Sequence, residues 1–257
     1  MSRQLHDDDQ PVGRVLTRRE AVALLTSAGA LVLVGCRPRA MAGAADTAQA
    51  STSAAVPGCV VRPEQTEGPY FVDTRLNRAD IRSDPAGDGA IAAGTPLQLT
   101  FNVSQLAAAA CTPLAGAMVD VWQCDAMGVY SGVNDPQFNT SGQQFLRGHQ
   151  ITDARGNATF TTIYPGWYPG RAVHIHFKIR TQPAAARGLE FTSQLYFPDA
   201  LTDVVHAQPP YATKGMRDRR NEQDRIYNQS GGSNLVVSAV RAGEEYAATF
   251  DIALATG

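Results

Sequence analysis

The sequence predicts an all-β fold, an antiparallel β-sandwich with long loops. Three observations favour it. Hydrophobic and polar residues alternate with a period of two in several segments, Pro, Gly, Asp and Asn turn signals separate those segments, and no long segment shows the 3.6-residue helical period. The alternating positions are Leu97, Leu99, Phe101 and Val103, then Ala117, Val119 and Val121, and finally Tyr246, Ala248, Phe250 and Ile252.

The C-terminal third of the chain is less regular. The charged segment from Met216 to Asn228 is compatible with a short helix or with an irregular crossover. The stretch from Leu235 to Val240 is expected to return to strand, because it is again apolar and β-branched.

Length and charge limit the classes of function. A chain of 257 residues with 44% hydrophobic content can bury one sizeable core. The formal net charge of −2 shows no excess of basic residues, so the sequence offers no electrostatic footprint for nucleic acid or an anionic membrane surface. A small-molecule partner is therefore expected.

The N-terminal residues are interpreted as a targeting signal. Arg18 and Arg19 precede an apolar stretch from Ala21 to Val34, which is too short to span a membrane. This pattern resembles a twin-arginine export signal over residues 1–35, the alternative being a chance Arg-Arg pair before an ordinary secretory signal. We expect an exported protein, periplasmic or extracellular.

Residues 36–57 are expected to form a flexible linker, because Ala, Ser, Thr and Gly dominate them, and residues 58–257 to form the folded domain. Lipidation of Cys36 would anchor the chain to a membrane, whereas cleavage near Ala42 would release it. A disulfide is permitted outside the cytoplasm. We expect it to join Cys59 to Cys111, since Cys124 lies at a crowded strand end.

One strand of the domain presents two histidines on the same face. Val173, Ile175 and Phe177 alternate toward a core, which sends His174 and His176 together to the opposite face. Two adjacent imidazoles make half of a metal site. The pattern alone also occurs in zinc and cupin sites and among plain exposed strand residues.

Tyr168 lies shortly before the histidines, between two Pro-Gly turns. A phenol has an ordinary pKa near about 10 and binds metal as phenolate only where a hard, strong Lewis acid displaces the proton, which favours Fe(III) over Zn(II) or Fe(II). The structural alternative is a tyrosine that caps a loop beside the core.

These residues belong to an ordered set of motifs. The motifs are Gly128-Val129-Tyr130 after a strand, Leu146-Arg147-Gly148, Asp153-Ala154-Arg155-Gly156, and the stretch Pro165-Gly166-Trp167-Tyr168-Pro169 leading to Arg171-Ala172-Val173-His174-Ile175-His176. In this order the sequence resembles the intradiol ring-cleavage dioxygenases, which include catechol, hydroxyquinol and protocatechuate dioxygenases.

The resemblance implies a non-haem Fe(III) cofactor bound by Tyr130, Tyr168, His174 and His176. It also implies that Tyr168 acts as a base toward the substrate and that Arg171 stabilises negative charge on the bound ring. Gln194 aligns with a pocket glutamine of the family. The segment from Glu67 to Tyr70 resembles one that folds over the substrate cavity, although a structural turn explains it equally well.

The implied reaction is cleavage of a catechol-type ring between its two hydroxylated carbons with O2, giving cis,cis-muconate-type products. Two other hypotheses start from the same histidines. One is a non-catalytic exported β-sandwich that binds metal or an aromatic ligand. The other is an Fe(II) or Mn(II) cupin, which is disfavoured because cupins supply a carboxylate ligand and a different histidine spacing.

Overall fold

The structure is a computed structural model that describes residues 59–107, 110–181 and 188–255. The expected export signal, residues 1–35, and the expected linker, residues 36–57, lie outside the described residues. The strands of the described part are β1 (Pro96–Ala107), β2 (Ala110–Pro113), β3 (Met118–Trp122), β4 (Asn134–Asp135), β5 (Phe138–Asn139), β6 (Arg147–Ile151), β7 (Asn157–Ile163), β8 (His174–Arg180), β9 (Glu190–Tyr196), β10 (Ala239–Ala242) and β11 (Glu245–Ala255).

Two sheets carry most of these strands. In the first, β1 pairs with β11 in parallel and with β2 and β7 antiparallel, and β10 extends the β11 edge. The second has the order β6-β3-β8-β9 and is antiparallel throughout. Strands β4 and β5 form a separate short hairpin. The predicted β-sandwich is confirmed, and its one departure from an antiparallel arrangement among these sheets is the parallel pairing of β1 with β11.

The inner faces of the two sheets meet in one hydrophobic core. Phe101 on β1 and Phe250 on β11 both pack on Phe177 of β8, with ring centroids 5.2 and 5.4 Å apart. Ile175 and Ile179, at the alternate positions of β8, are completely buried in the same core. The period-two pattern of the sequence therefore identifies the core face of each strand.

The outer face of the second sheet is also covered. Residues 59–80, named here the N-terminal strap, run across it and bond to it at intervals. Gln65 donates its backbone N–H to Thr192 of β9 at 3.0 Å, and Asn77 forms an isolated bridge with His149 of β6. Six of the seven residues of β8 are buried as a result.

The helices are short. Helix α1 (Asp199–His206) was not expected from the sequence, because eight residues with Thr202 and Val205 buried carry too little periodicity. Within the charged segment, a 3-10 turn (Asn221–Gln223) and helix α2 (Arg225–Gln229) confirm the short-helix alternative. No helix among the described residues is long and apolar enough to cross a membrane.

The strand expected from Leu235 to Val240 is partly wrong. A 3-10 turn (Gly232–Leu235) occupies its start, and β10 begins only at Ala239. Leu235 and Val237 are buried all the same. Burial of apolar side chains therefore accounts for the composition here, without a regular strand ladder.

A disulfide fixes the beginning of the strap. Cys59 and Cys111 are bonded, with Cα atoms 5.5 Å apart, which confirms the expected pairing. The bond ties the strap to β2. Cys124 is a buried free thiol, and burial raises its pKa to about 12, so it has no thiolate character at neutral pH.

Loss of this disulfide should destabilise the domain. The bond closes a loop of 52 residues, so chain-entropy arguments give a loss of up to about 4 kcal/mol in the free energy of unfolding for a Cys59→Ser, Cys111→Ser double variant. Urea unfolding measures it. Cys36→Ser, in the expected linker, is the control and should leave the midpoint unchanged; a double variant as stable as the wild type would contradict the expectation.

Candidate metal centre

The first site tyrosine follows a tight turn after β3. The carboxylate of Asp125 accepts hydrogen bonds from the backbone N–H groups of Met127 and Val129 at 2.8 and 2.9 Å. Gly128 has a φ of 82°, which an L side chain rarely adopts. The turn directs the next residues inward, so that Tyr130 is 1% exposed.

The second tyrosine follows a turn that packs against the first. Gly166 donates its N–H to the Asp125 carbonyl at 3.1 Å. A Cβ at Gly166 would lie 2.4 Å from that same oxygen, so only glycine allows this approach. The two turns therefore carry Tyr130 and Tyr168 to one place, with ring centroids 5.7 Å apart.

The two histidines converge on the same place from β8. Nε2 of His174 lies 3.0 Å from Nε2 of His176 and 3.2 Å from the Tyr168 hydroxyl. The Nδ1 atom of His174 is 2.6 Å from the Ala172 carbonyl, a contact that assigns the ring proton to Nδ1 and leaves a lone pair on Nε2. Trp122 stacks on His176 at 5.0 Å and fixes its plane.

Both imidazoles are neutral at physiological pH. Burial, reinforced by the nearby Arg171 cation, lowers the pKa of His174 to about 3. Burial and the neighbouring His174 hold the pKa of His176 well below its ordinary value. Neutral imidazole is the form that binds metal ions.

The donor set fits a hard, highly charged metal ion. Two imidazole nitrogens that bind one metal ion at about 2.1 Å each, in adjacent coordination positions, are about 3 Å apart. The Nε2 atoms of His174 and His176 are 3.0 Å apart. Among the described residues, no cluster of three or more His, Cys, Asp or Glu side chains is placed to hold a metal ion. Any ion at the histidine pair would therefore take the tyrosine oxygens, and phenolate favours Fe(III).

Arg171 is held beside this group of side chains. Its Nη1 atom is 3.5 Å from the Tyr168 hydroxyl, and its Nε donates to the Asp224 carboxylate at 2.9 Å. The ion pair is buried, with side-chain exposures of 7% and 0%. Burial is the largest single effect and opposes ionisation of Asp224, but the Arg171 charge and the hydrogen bonds from the backbone N–H groups of Ala172 and Tyr227 together outweigh it and lower the carboxyl pKa.

Gln194 faces Arg171 from β9. Its side-chain oxygen accepts a hydrogen bond from Nη2 of Arg171 at 2.5 Å, and its amide nitrogen donates to the Thr66 carbonyl of the strap at 3.0 Å. Tyr196 donates to Gln65 at 2.9 Å on the same side. The expected pocket glutamine thus joins the arginine to the strap.

The strap also covers the tyrosines. Tyr70 stacks on Tyr130, with centroids 4.4 Å apart and planes 20° from parallel, and its hydroxyl donates to Asp135 at 2.8 Å. A cavity of about 250 Å³ opens beside Tyr70 and Tyr168 and is also lined by Phe138 and Lys214. Within the segment from Glu67 to Tyr70, Pro69 and Tyr70 form a turn, and Tyr70 is the residue that lines the cavity.

Three residues of this site were missed by sequence reasoning. Asp224 stands within a run of surface charges, so no local pattern distinguishes its buried carboxylate. Trp122 and Tyr196 sit on strands where an aromatic residue is ordinary core composition. For Trp122 one signal was present, because strand alternation places it on the outer face with Asp120.

A dioxygenase family model matches residues 66–219, which is more than half of the chain and includes all four expected ligands. The chain belongs to the intradiol ring-cleavage dioxygenase family. Among solved structures, an intradiol ring-cleavage dioxygenase from Tetranychus urticae aligns with a TM-score of 0.65 and 29% identity over 77% of this chain and 95% of that one. The dioxygenase domain of a carbohydrate-binding fusion protein from Streptomyces sp. SirexAA-E aligns with a TM-score of 0.53 and 30% identity, over 77% and 99% of the two chains.

Curated relatives match over shorter segments. A catechol 1,2-dioxygenase of Candida albicans is 45% identical over 60 residues, which are 22% of this chain and 18% of that protein. A protocatechuate 3,4-dioxygenase beta chain of Burkholderia cepacia is 35% identical over 94 residues, which are 34% and 39% of the two chains. The chain thus spans well under half the length of these curated relatives.

The buried ion pair should make a large contribution to stability. An Asp224→Asn substitution leaves the Arg171 cation buried without its counter-charge, and we expect it to lower the free energy of unfolding by about 3–5 kcal/mol. The matched control is Asp203→Asn, because that carboxylate pairs with Arg217 and Arg220 at a largely exposed position and should cost at most about 1 kcal/mol. Urea unfolding compares them, and equal losses would contradict the assignment of a buried pair.

Proposed function

We propose that this protein is a non-haem Fe(III) dioxygenase that cleaves catechol-type rings between the two hydroxylated carbons with O2, giving cis,cis-muconate-type products. The observation that carries the proposal is the convergence of two neutral imidazoles and two phenols in one buried group, with Tyr168 at its exposed side. Membership of the intradiol family supports the same reaction class.

The residues proposed to hold the metal are Tyr130, Tyr168, His174 and His176. When bound, Fe(III) would draw electron density from a coordinated diol and so make a ring carbon reactive toward O2. Every ligand comes from a strand or from a turn packed directly on one, which holds the donor atoms in place before any ion binds.

Tyr168 is proposed as the base. It is the most exposed of the four ligands, at 8%, and it lines the cavity, whereas Tyr130 lies beneath Tyr70. A phenolate at this position can accept a proton from a diol hydroxyl as the substrate enters. The Arg171 guanidinium, 3.5 Å from the Tyr168 hydroxyl, stabilises the phenolate before that transfer.

Arg171 is proposed to stabilise negative charge on the bound ring. Asp224 and Gln194 hold its Nε and Nη2 atoms, so the guanidinium has little freedom to turn away. A fixed cation in a site closed to water stabilises developing charge more strongly than a solvated one. Gln194 acts here by fixing the arginine and by joining it to Thr66 of the strap.

The proposed substrate is a small catechol-type diol, with O2 as co-substrate. The cavity of about 250 Å³ beside Tyr168 suits a single aromatic ring, and Tyr70 and Phe138 give it aromatic walls. The non-catalytic binding alternative uses the same cavity, but it gives no reason for two tyrosines to meet the histidine pair.

Export remains part of the proposal. The twin-arginine pattern at Arg18 and Arg19 supports it, and so does the disulfide between Cys59 and Cys111, because such bonds persist in oxidising compartments. Lipidation at Cys36 would then hold the enzyme at a membrane surface.

Activity tests the proposal directly. With Fe(III) loaded, the wild type should consume one O2 for each catechol and form a muconate. An oxygen electrode measures the O2 consumed, and ultraviolet absorption measures the muconate formed. Tyr168→Phe removes the base and His176→Ala removes a ligand, so each should lower turnover by at least about 100-fold. Tyr246→Phe, on β11 and outside the site, is the control and should keep full activity; near-full turnover in either site variant would remove the mechanism.

A further inference from the structure

Arg147 is a buried cation without a counter-charge among the described residues. Its exposure is 2%, and no carboxylate of the described chain lies within ion-pair distance of it. Nε donates to the carbonyl and the hydroxyl of Ser131 at 2.9 Å each, and Nη2 also bonds to the Ser131 carbonyl. Its Nη1 atom has no hydrogen-bond partner among the described residues.

Such a group is costly unless something nearby is negative. An unpaired buried ion destabilises a fold by several kcal/mol, so buried arginines are normally paired with carboxylates. Burial lowers the pKa of Arg147 to about 10, which still leaves the guanidinium charged at neutral pH. Among the described residues, Tyr130 is the group whose negative charge would favour the charged guanidinium.

The fold places this cation in the same cross-strand row as one of the proposed metal ligands. In the second sheet, Arg147 of β6 pairs with Trp122 of β3, and Trp122 pairs with His176 of β8, so the three residues form one cross-strand row. The Ser131 carbonyl that holds the guanidinium follows Tyr130 in the chain. Tyr130 is the group whose charge favours the charged form of Arg147, and Arg147 in turn disfavours protonation of His176.

We propose that Arg147 is a positioning residue whose fixed positive charge, in the cross-strand row of His176, raises the reduction potential of the bound metal. The inference rests on the proposed Fe(III) site. A fixed positive charge beside an iron ligand favours the less positive Fe(II) state over Fe(III). Its removal therefore makes the metal harder to reduce.

Arg180 provides a matched control on the same face of the same sheet. It is a less buried arginine of β8, with 17% of its side chain exposed, and it pairs with Asp120 at 2.8 Å and with Asp73 at 3.3 Å. Its charge is already neutralised, so removing it should not alter the metal.

The experiment is a redox titration of the iron-loaded protein, followed by its visible absorption, for the wild type, Arg147→Gln, Arg147→Lys and Arg180→Gln. A site charge worth about 1.4 kcal/mol corresponds to a tenfold change in the Fe(II) to Fe(III) ratio at a fixed applied potential, or about 59 mV for one electron. We expect Arg147→Gln to lower the midpoint potential by that amount. Arg147→Lys should keep most of the wild-type value, and Arg180→Gln all of it.

The outcomes separate this inference from the proposed function. If the wild-type protein stays colourless after iron loading, that result contradicts the assignment of the metal ligands and therefore this inference as well. A coloured wild type whose potential is the same in Arg147→Gln overturns only the role of Arg147. If Arg147→Gln does not fold, the lysine variant decides. A folded Arg147→Lys protein keeps the positive charge, so a midpoint potential that falls by the full amount of about 59 mV would overturn a role based on charge.

Discussion

Strand β8 is buried on both faces, and the site depends on that double burial. Its inner face packs Ile175, Phe177 and Ile179 between the sheets, while His174 and His176 point outward under the N-terminal strap. A polar group can be buried only if partners satisfy it. The Ala172 carbonyl orients His174 and the Trp122 ring stacks on His176, so that both Nε2 atoms face the place where the proposed metal ion would bind.

Two buried arginines lie near the proposed ligands, one with a carboxylate partner and one without. Arg171 is paired with Asp224 and held by Gln194, and its Nη1 atom lies 3.5 Å from the Tyr168 hydroxyl. Arg147 has no carboxylate partner among the described residues and lies in the cross-strand row of His176. Arg171 thus lies beside Tyr168, which lines the cavity where substrate would enter, and Arg147 lies in the strand row of His176.

The sequence predicts the fold and the histidine pair from local patterns, and the ordered motifs of the family resemblance add the two tyrosines to the proposed ligands. Strand alternation alone places His174 and His176 on one face, and the turn glycines at 128 and 166 bring Tyr130 and Tyr168 together. The residues that support the site depend instead on contacts far apart in the chain. Asp224 reaches Arg171 across 53 residues, and Gln65 reaches Tyr196 across 131, so no spacing in the sequence reveals either contact. Helix α1 and the late start of β10 escaped prediction because short elements owe their conformation to packing.

The visible absorption spectrum of the protein after loading with Fe(III) tests the central claim most directly. The account predicts a broad charge-transfer band from tyrosinate to Fe(III), which moves to longer wavelength when catechol is added without oxygen and is absent from a Tyr130→Phe, Tyr168→Phe double variant. A wild-type protein that remains colourless after iron loading, or that retains zinc in preference to iron, would contradict the assignment of the four ligands and favour a non-catalytic binding protein.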